Sequence, residues 1–324
     1  MSRNKLLDIY ITHWTEPYDV GKKMFDMLSL QRNVDWSKIG VNLIHDGSGA
    51  FPDSFFKDCP FMVNQICLPH GGISAARNYA IKNSDATWIK FCDFDDMFAG
   101  VYSLSCIMDV LNDTDKFDML WYPLVIEMSD GTTRIIECSP VFIHDKVYRV
   151  SFLREHNLFF NESLTFSEDF AFIAVTKLFM DMKRIGRINC NFHIYLYTQR
   201  GYSIGNREDM WYKNRCSLFD AHAYVEQEER KHGNRHDADI LAVRTVYENY
   251  VTMLKAGDRY NTSALKQKTF EYYDQHKDSF DRVTDKDIDA ILDATNCQNG
   301  IEVNKQNLLN WIESRGNKIY ESNT

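Results

Sequence analysis

At 324 residues and 44% hydrophobic, the chain is long enough for one large domain with an extension, or for two domains. A net charge of −9 argues against a broad nucleic-acid-binding surface, although it leaves room for a local basic patch. No stretch approaches the apolar length that spans a bilayer, and the cysteines, none in C-x-x-C spacing, point to free thiols in a reducing cytoplasm rather than a disulfide framework.

The first strand is expected at Leu6–Thr12, entered directly from Met1–Lys5 with no leader and broken at Glu16-Pro17. Val41–His45 reads as a second strand, ending in Asp46-Gly47-Ser48. After Gly71-Gly72, Ser74 is expected to cap a helix that runs on through Tyr79–Asn83. Thr87–Cys92 is an apolar-rich run with the character of a buried strand, and it delivers Asp93-Phe94-Asp95-Asp96 at its end. A helix over Val101–Leu111 and a strand over Met119–Val125 follow, and Ser129–Thr132 marks a hairpin turn. Glu168–Met182 has helical periodicity, with Phe172, Val175 and Phe179 on one face. Beyond Gly205 the composition turns to charged helix formers, and Val243, Val246, Tyr247, Tyr250, Val251 and Leu254 form a helical apolar stripe with the character of a core or interface. The expectation is an α/β domain over residues 1–205 and an α-helical region over 206–324 packed on it.

The carboxylates at the mouth of the Thr87–Cys92 strand carry the chemical argument. Acidic groups there are costly unless a positive partner is present. A divalent cation holding a diphosphate meets that need, since hard cations take oxygen ligands. The Asp-x-Asp spacing lets Asp93 and Asp95 point the same way from an extended segment. A solvated acidic turn is the plain alternative, and Asp96 can simply cap the next segment. Strand, helix, strand, strand, helix, strand, with polar residues at strand ends, is the grammar of an open sheet that binds a nucleotide at its carboxyl edge.

Taken together, Ile9–Pro17, Asp46-Gly47-Ser48, Gly72–Asn78, Phe91–Asp96, Lys146–Leu153 and Glu168-Asp169 resemble, in order and spacing, a family 2 glycosyltransferase of GT-A fold. The resemblance covers about residues 5–205. It implies transfer of a sugar from a nucleotide-sugar donor, with UDP the expected nucleotide, to an acceptor hydroxyl with inversion. By that resemblance Asp95 is a metal ligand and Asp93 serves the ribose or the metal, with Mn2+ or Mg2+ as the cofactor. A histidine completes the metal set in some relatives, and His193 and His144 are both available. Asp169 becomes the base that deprotonates the acceptor, although Glu168 and Asp169 also suit a helix N-terminus electrostatically. Asp46 would accept the imide N–H of uracil, or close a strand as an Asp-Gly turn. Thr12, His13 and Glu16 would line the nucleoside, with Trp14 covering the base or lying in the core. Arg77 would reach the diphosphate or hold Asp46 and Asp93. Asn78 reads as a local hydrogen-bonding residue. Tyr195, Tyr197, Arg200 and Ser203 resemble the segment that closes over the diphosphate.

Other classes fit less well. A phosphatase using Asp-x-Asp as nucleophile carries the pair after its first strand. A nucleotidyltransferase should show a glycine-rich basic loop there, and Thr12–Tyr18 has none. A non-catalytic nucleotide- or sugar-binding module is the alternative from another class, and retention of Asp93, Asp95 and Asp169 speaks against it. The acceptor is by default a glycan, with a hydroxyl on protein, on a small molecule or on a modified base in DNA as alternatives. The basic cluster Arg230-Lys231-His232, Arg235 and His236 reads as a solvated face.

Overall fold

A computed structural model describes residues 5–112, 116–128, 130–190, 193–198, 208–299 and 303–316. The chain divides into two compact units, Met1–Ser203 and Ile204–Thr324.

In the first unit the described elements run β1 (Leu7–His13), α1 (Tyr18–Ser29), β2 (Ile39–Asp46), β3 (Val63–Leu68), α2 (Ile73–Asn83), β4 (Trp88–Asp93), β5 (Met97–Phe98), α3 (Ser103–Leu111), β6 (Met119–Trp121), β7 (Leu124–Glu127), β8 (Thr133–Ile136), β9 (Lys146–Arg149), α4 (Val150–Glu155), α5 (Glu168–Leu178), β10 (Ile185–Arg187) and β11 (Tyr195–Thr198). Seven strands form one sheet in the order β10-β6-β9-β4-β1-β2-β3. Strands β3, β2, β1 and β4 are parallel, so His13, Asp46, Leu68 and Asp93 finish along one edge. Strand β9 enters antiparallel to both β4 and β6. A second sheet, β5-β11-β7-β8, receives the chain as it leaves that edge after Asp93.

Burial explains why the parallel strands read as continuous apolar runs rather than alternating ones. Every residue of β1 is buried, because helices cover parallel sheets on both faces. Leu7, Ile9 and Ile11 pack with Phe25 and Phe94 in one core. The intervening Asp8 is buried and accepts the Ser84 hydroxyl at 2.7 Å.

The mixed α/β fold with a helical C-terminal part is as expected, and several local expectations change. The run Met119–Val125 is not one strand: it breaks at Tyr122-Pro123 into β6 and β7, which belong to different sheets. Proline lacks the N–H that a central strand needs, so the break falls at it. Ser74 does not cap α2; Gly72, at φ 83°, holds the N-cap position, and Ser74 is buried inside the helix. The helix expected through Met182 stops at Leu178.

The second unit contains α6 (Trp211–Lys231), α7 (Arg235–Ala256), α8 (Ser263–Gln275), α9 (Lys277–Arg282), α10 (Asp285–Asn299) and α11 (Lys305–Glu313). Of the stripe on α7, Val243, Val246, Tyr247, Tyr250 and Val251 are core residues and Leu254 is partly buried against them. Trp311 of α11 packs on Tyr250 and Phe270 with ring centroids 4.9 and 4.5 Å apart.

Candidate active site

Arg77 sits at the centre of the polar edge of the first unit, 1% exposed. Helix α2 places it behind the end of β4, and its guanidinium reaches three carboxylates. One terminal nitrogen donates to Glu168 at 3.2 Å and, at very short range, to Asp169; the other donates to Asp93 at 3.2 Å. Burial disfavours its charge, but the carboxylates of Asp169, Asp93 and Glu168 outweigh that and keep it firmly protonated. Of the two tasks expected of Arg77, holding Asp93 is met; Asp46 is held elsewhere.

Asn78 turns out to act at long range. Its amide donates to the Phe160 carbonyl at 2.9 Å and to Glu162 at 2.8 Å, and it accepts the Phe160 N–H at 2.7 Å. Arg77 and Asn78 thus tie α2 to the segment that leads into α5. Phe160 stacks on Phe172 at 4.0 Å and lies under the Arg77 guanidinium at 5.3 Å. Ser167, just before α5, is in the left-handed region at φ 62°, and its hydroxyl makes no cap. Such backbone strain in a non-glycine residue is held by surrounding structure and recurs at functional sites.

Asp169 is 9% exposed. One oxygen takes the Arg77 bond and the other accepts the Ile143 N–H at 3.3 Å. Glu168, beside it, is pushed up to about 7 by burial and by the Asp169 charge, against the pull of Arg77.

Asp93 meets cations on both sides. Its Oδ1 accepts Thr12 Oγ1 at 3.3 Å as well as Arg77, and its Oδ2 lies 3.0 Å from His144 Nε2. Burial opposes its ionisation, but His144 and Arg77 hold the carboxyl far below its usual range. Two residues carry Asp96 back under the strand end, where it is almost fully buried and its Oδ1 accepts the Thr198 N–H at 3.1 Å. Burial pushes its carboxyl up to about 8, the neighbouring Asp93 and Asp95 add to this, and His144 opposes it.

Asp93, Asp96 and His144 offer one ligand atom each, all within 4.8 Å of one another. His144 Nε2 has the ion-pair contact with Asp93 alone, and His144 Nδ1 and Asp96 Oδ2 are buried without a hydrogen-bond partner among the described residues. Two carboxylate oxygens and an imidazole with orphaned atoms fit a divalent cation, whose charge would satisfy what no protein donor does. Asp95 is half-buried in the same turn and is not in this group. His193 is exposed and lines a separate cavity with Ala99, Gly100, Val101, Tyr102, Val125 and Leu196.

His144 reaches the site because its loop is pinned from below. Its carbonyl accepts Lys90 Nζ and the Tyr122 hydroxyl, each at 2.7 Å. Its ring stacks on Tyr195 at 5.7 Å, and the Tyr195 hydroxyl accepts the Asp93 N–H at 3.3 Å. Tyr197 is half-buried, stacked against Phe142 and His144. Arg200 and Ser203 lie outside the described residues.

On the nucleoside side, Asp46 is engaged by the loop after β3. It accepts the Gly71 and Gly72 N–H groups at 2.7 and 3.0 Å and lies 2.9 Å from His70 Nδ1. Gly47 closes the strand at φ 83°, and a Cβ there would strike His70. The Asp-Gly turn is therefore real. Trp14, 45% exposed, stacks on His70 with centroids 5.1 Å apart. Glu16 folds back to accept the Trp14 N–H at 2.7 Å. Thr12 faces Asp93, whereas His13 turns to the other side of the sheet, between Phe51 and Phe94.

Sequence reasoning named His144 without choosing it and gave Asp96 a capping role. The available signal was the strand period: β4 ends at Asp93, and only a tight turn can aim Asp96 back at it. Lys90, inside an apolar run, was the other legible anomaly, since a buried lysine needs carbonyl partners.

No protein-family model and no curated protein sequence matches the chain. Solved structures do. The crystal structure of S. aureus TarS residues 1–349 superposes with a TM-score of 0.57 at 13% identity, covering 96% of this chain and 88% of that one. Its complex with UDP-GlcNAc gives 0.57 at 14% identity, and its complex with UDP gives 0.54 at 14%, with the same coverage of both chains. At this identity the shared property is the fold.

Proposed function

We propose that the protein is a metal-dependent glycosyltransferase that moves a sugar from a UDP-sugar to an acceptor hydroxyl with inversion. The observation that carries the reading is the cluster at the end of β4: Asp93, Asp96 and His144 within 4.8 Å, with buried atoms that make no hydrogen bond among the described residues. The fold shared with TarS, whose solved complexes hold UDP and UDP-GlcNAc, supports a nucleotide-sugar donor.

In this reading Asp93, Asp96 and His144 hold the cation, and Asp95 in the same turn faces the donor. A divalent cation at this position neutralises charge that develops on a leaving diphosphate. Trp14 and His70 border the slot for the base, and Thr12, Glu16 and Asp46 shape its walls. Asp46 serves mainly by fixing the Gly71-Gly72 loop, whose backbone approaches the donor closely. Asp169 takes the proton from the acceptor hydroxyl. Arg77 and the Ile143 N–H fix its orientation. One base suffices for direct displacement at the anomeric carbon, which inverts it. Arg200 remains a candidate for the diphosphate, and His144 rather than His193 is the histidine assigned to the metal set.

The test is a donor screen. Several nucleotide sugars are incubated with Mn2+, with Mg2+ and with chelator, and scored for donor hydrolysis and thermal shift. Metal-dependent stabilisation and hydrolysis with a UDP-sugar are expected. Nucleotide binding without turnover of any donor would favour a binding module, and equal UDP affinity in chelator would remove the metal.

A further inference from the structure

Beneath the nucleotide edge, on the α1 side of the sheet, lies a pair of buried histidines that the proposed chemistry leaves without a role. His13 ends β1 and His45 nearly ends β2, and their Nδ1 atoms are 3.1 Å apart. The partners of the other ring nitrogens fix where protons sit. Gln65 is oriented by Phe51: it accepts the Phe51 N–H at 2.8 Å and donates to the Phe51 carbonyl at 3.0 Å. The Gln65 oxygen is therefore what faces His45 Nε2 at 3.0 Å, and that nitrogen carries a hydrogen. His13 Nε2 faces the backbone carbonyl of Glu16 at 3.2 Å, which only accepts, so it carries a hydrogen as well. The Nδ1···Nδ1 contact needs a hydrogen of its own. Two neutral imidazoles hold one ring proton each, one short of this demand.

We propose that His13 and His45 share three ring protons, and that this singly charged pair is a positioning element that holds the two loops flanking the donor slot in their binding shape. One loop is the turn after β1, gripped through the Glu16 carbonyl, which also presents Trp14. The other is the segment after β2, gripped through Ser48 and through Gln65 and Phe51. The inference rests on the reading that a nucleotide occupies this edge.

The surroundings fit one shared charge. Ser48 Oγ lies 3.0 Å from His13 Nδ1 and, as a hydroxyl, can accept or donate, so it suits either location of the proton. The His13 ring lies 4.8 Å from Phe51 and 4.6 Å from Phe94, and aromatic faces attract a cation. The groups that could set the charge are few. The Glu16 carboxylate is turned to Trp14 N–H, and Asp46 and Asp93 belong to the opposite face, engaged by the Gly71-Gly72 loop and by Arg77. Burial is the larger effect and sets both rings below the ordinary imidazole range; the bonds to Glu16 and Gln65 offset it in part, and the His13 charge lowers His45 further. The pair therefore titrates as a unit. Below its pKa all three contacts are satisfied. As pH rises through it, one contact becomes lone pair against lone pair, and one loop loses its hold.

The experiment is histidine-selective 15N NMR of the full chain beside UDP calorimetry with Mn2+, both followed from about pH 5 to about pH 8. The expected result is three protonated ring nitrogens on His13 and His45 at low pH. With Mn2+ saturating at every pH, UDP affinity should then fall about fivefold as the third is lost, the weight of one hydrogen bond. In His45→Gln an amide can serve both neighbours without a third proton, so the affinity profile should flatten. Two neutral rings throughout the range of full UDP affinity would overturn the pair, even if that variant failed to fold. An unchanged profile in His45→Gln would overturn it too. Three protons with no UDP binding at any pH would instead overturn the nucleotide reading, and the positioning role with it.

Discussion

Asp239 in the helical unit and Asp96 at the sheet edge are both buried carboxylates, yet only one has its needs met. Asp239 accepts two bonds from Arg282, at 2.6 and 2.8 Å, and one from Ser279 at 2.8 Å, and it lies 3.0 Å from Arg230. Those bonds, the Arg282 pair foremost, hold its carboxyl well below the usual range. Glu226 nearby is likewise paired, with Arg230 and His276. At the sheet edge Asp93, Asp96, Glu168 and Asp169 face one arginine and one histidine, and among the described residues Asp96 Oδ2 and His144 Nδ1 make no hydrogen bond, while His144 Nε2 has only its ion-pair contact with Asp93. The first cluster is a closed structural network. The second has more carboxyl groups than its cations can pair, so that Asp96 and Glu168 are pushed toward their protonated forms, which is the signature of a site completed by something else.

The sharpest way to break that comparison is Asp169→Asn. If the sheet-edge carboxylates are chemical, this variant should lose transfer by about 100- to 10,000-fold, the range for a general base. UDP affinity should remain near parental, and stability should fall by no more than about 1–3 kcal/mol, since an amide oxygen still accepts from Arg77 through a neutral rather than a charge-assisted bond. A near-parental rate would move the base to Glu168.

Arg77→Gln attacks the same cluster through stability. It leaves Asp93, Glu168 and Asp169 without their shared cation, and breaking a buried ion pair from one side costs about 3–5 kcal/mol. Chemical denaturation measures it. Lysine should rescue only in part, because one ammonium cannot reproduce a fork that serves three carboxylates. The counterpart in the helical unit, Asp239→Asn, should cost about 1–3 kcal/mol, as expected when charge-assisted bonds become neutral ones. It should not alter the metal dependence of UDP binding. A shift there would mean that the two networks are not separable in function.

What was legible in the sequence follows from the same distinction. Strands β1, β2 and β4 were readable because burial on both faces leaves apolar runs. The acidic end of β4 was readable because carboxylates there violate that pattern. The grouping of Asp93 with Asp96 and His144 was not, because it depends on a turn of two residues and on a loop pinned by Lys90 and Tyr122 from distant strands. The split of Met119–Val125 between two sheets was signalled by Pro123 but is a tertiary outcome. His13 was read as a nucleoside contact from its position at a strand end, yet the two-residue period of a strand sends Thr12 and His13 to opposite faces. Asp46 carried two readings, and its partners Gly71, Gly72 and His70 could not be inferred from local spacing.

The smallest effect concerns pH, and its sign separates the two clusters. Without metal, the folded state keeps a proton on Asp96 up to about 8 and on Glu168 up to about 7, mainly because both are buried. Unfolded, these groups release it near 3.8 and 4.5. Between those limits the native state binds more protons than the unfolded one, so each group makes stability fall as pH rises. Asp239 behaves in the opposite sense: its folded pKa is depressed, so its contribution is present above the ordinary carboxylate range and lost only on strong acidification. A cation at Asp93, Asp96 and His144 must displace the Asp96 proton, and that of His144 where it is held, so its affinity should grow about tenfold per pH unit below about 8 and more steeply where His144 is also protonated. That difference amounts to about 2–4 °C of extra metal-induced melting shift per pH unit. Thermal scans with Mn2+ and with chelator, at intervals from about pH 6 to about pH 8, read it directly. In Asp96→Asn the pH dependence of the metal shift should weaken to the part set by His144, whose pKa burial would lower but Asp93 raises, while in Asp239→Asn it should persist in full. A metal shift that is flat with pH in the parent would show that Asp96 is already ionised without the cation, and the excess charge at the sheet edge would then need a different account.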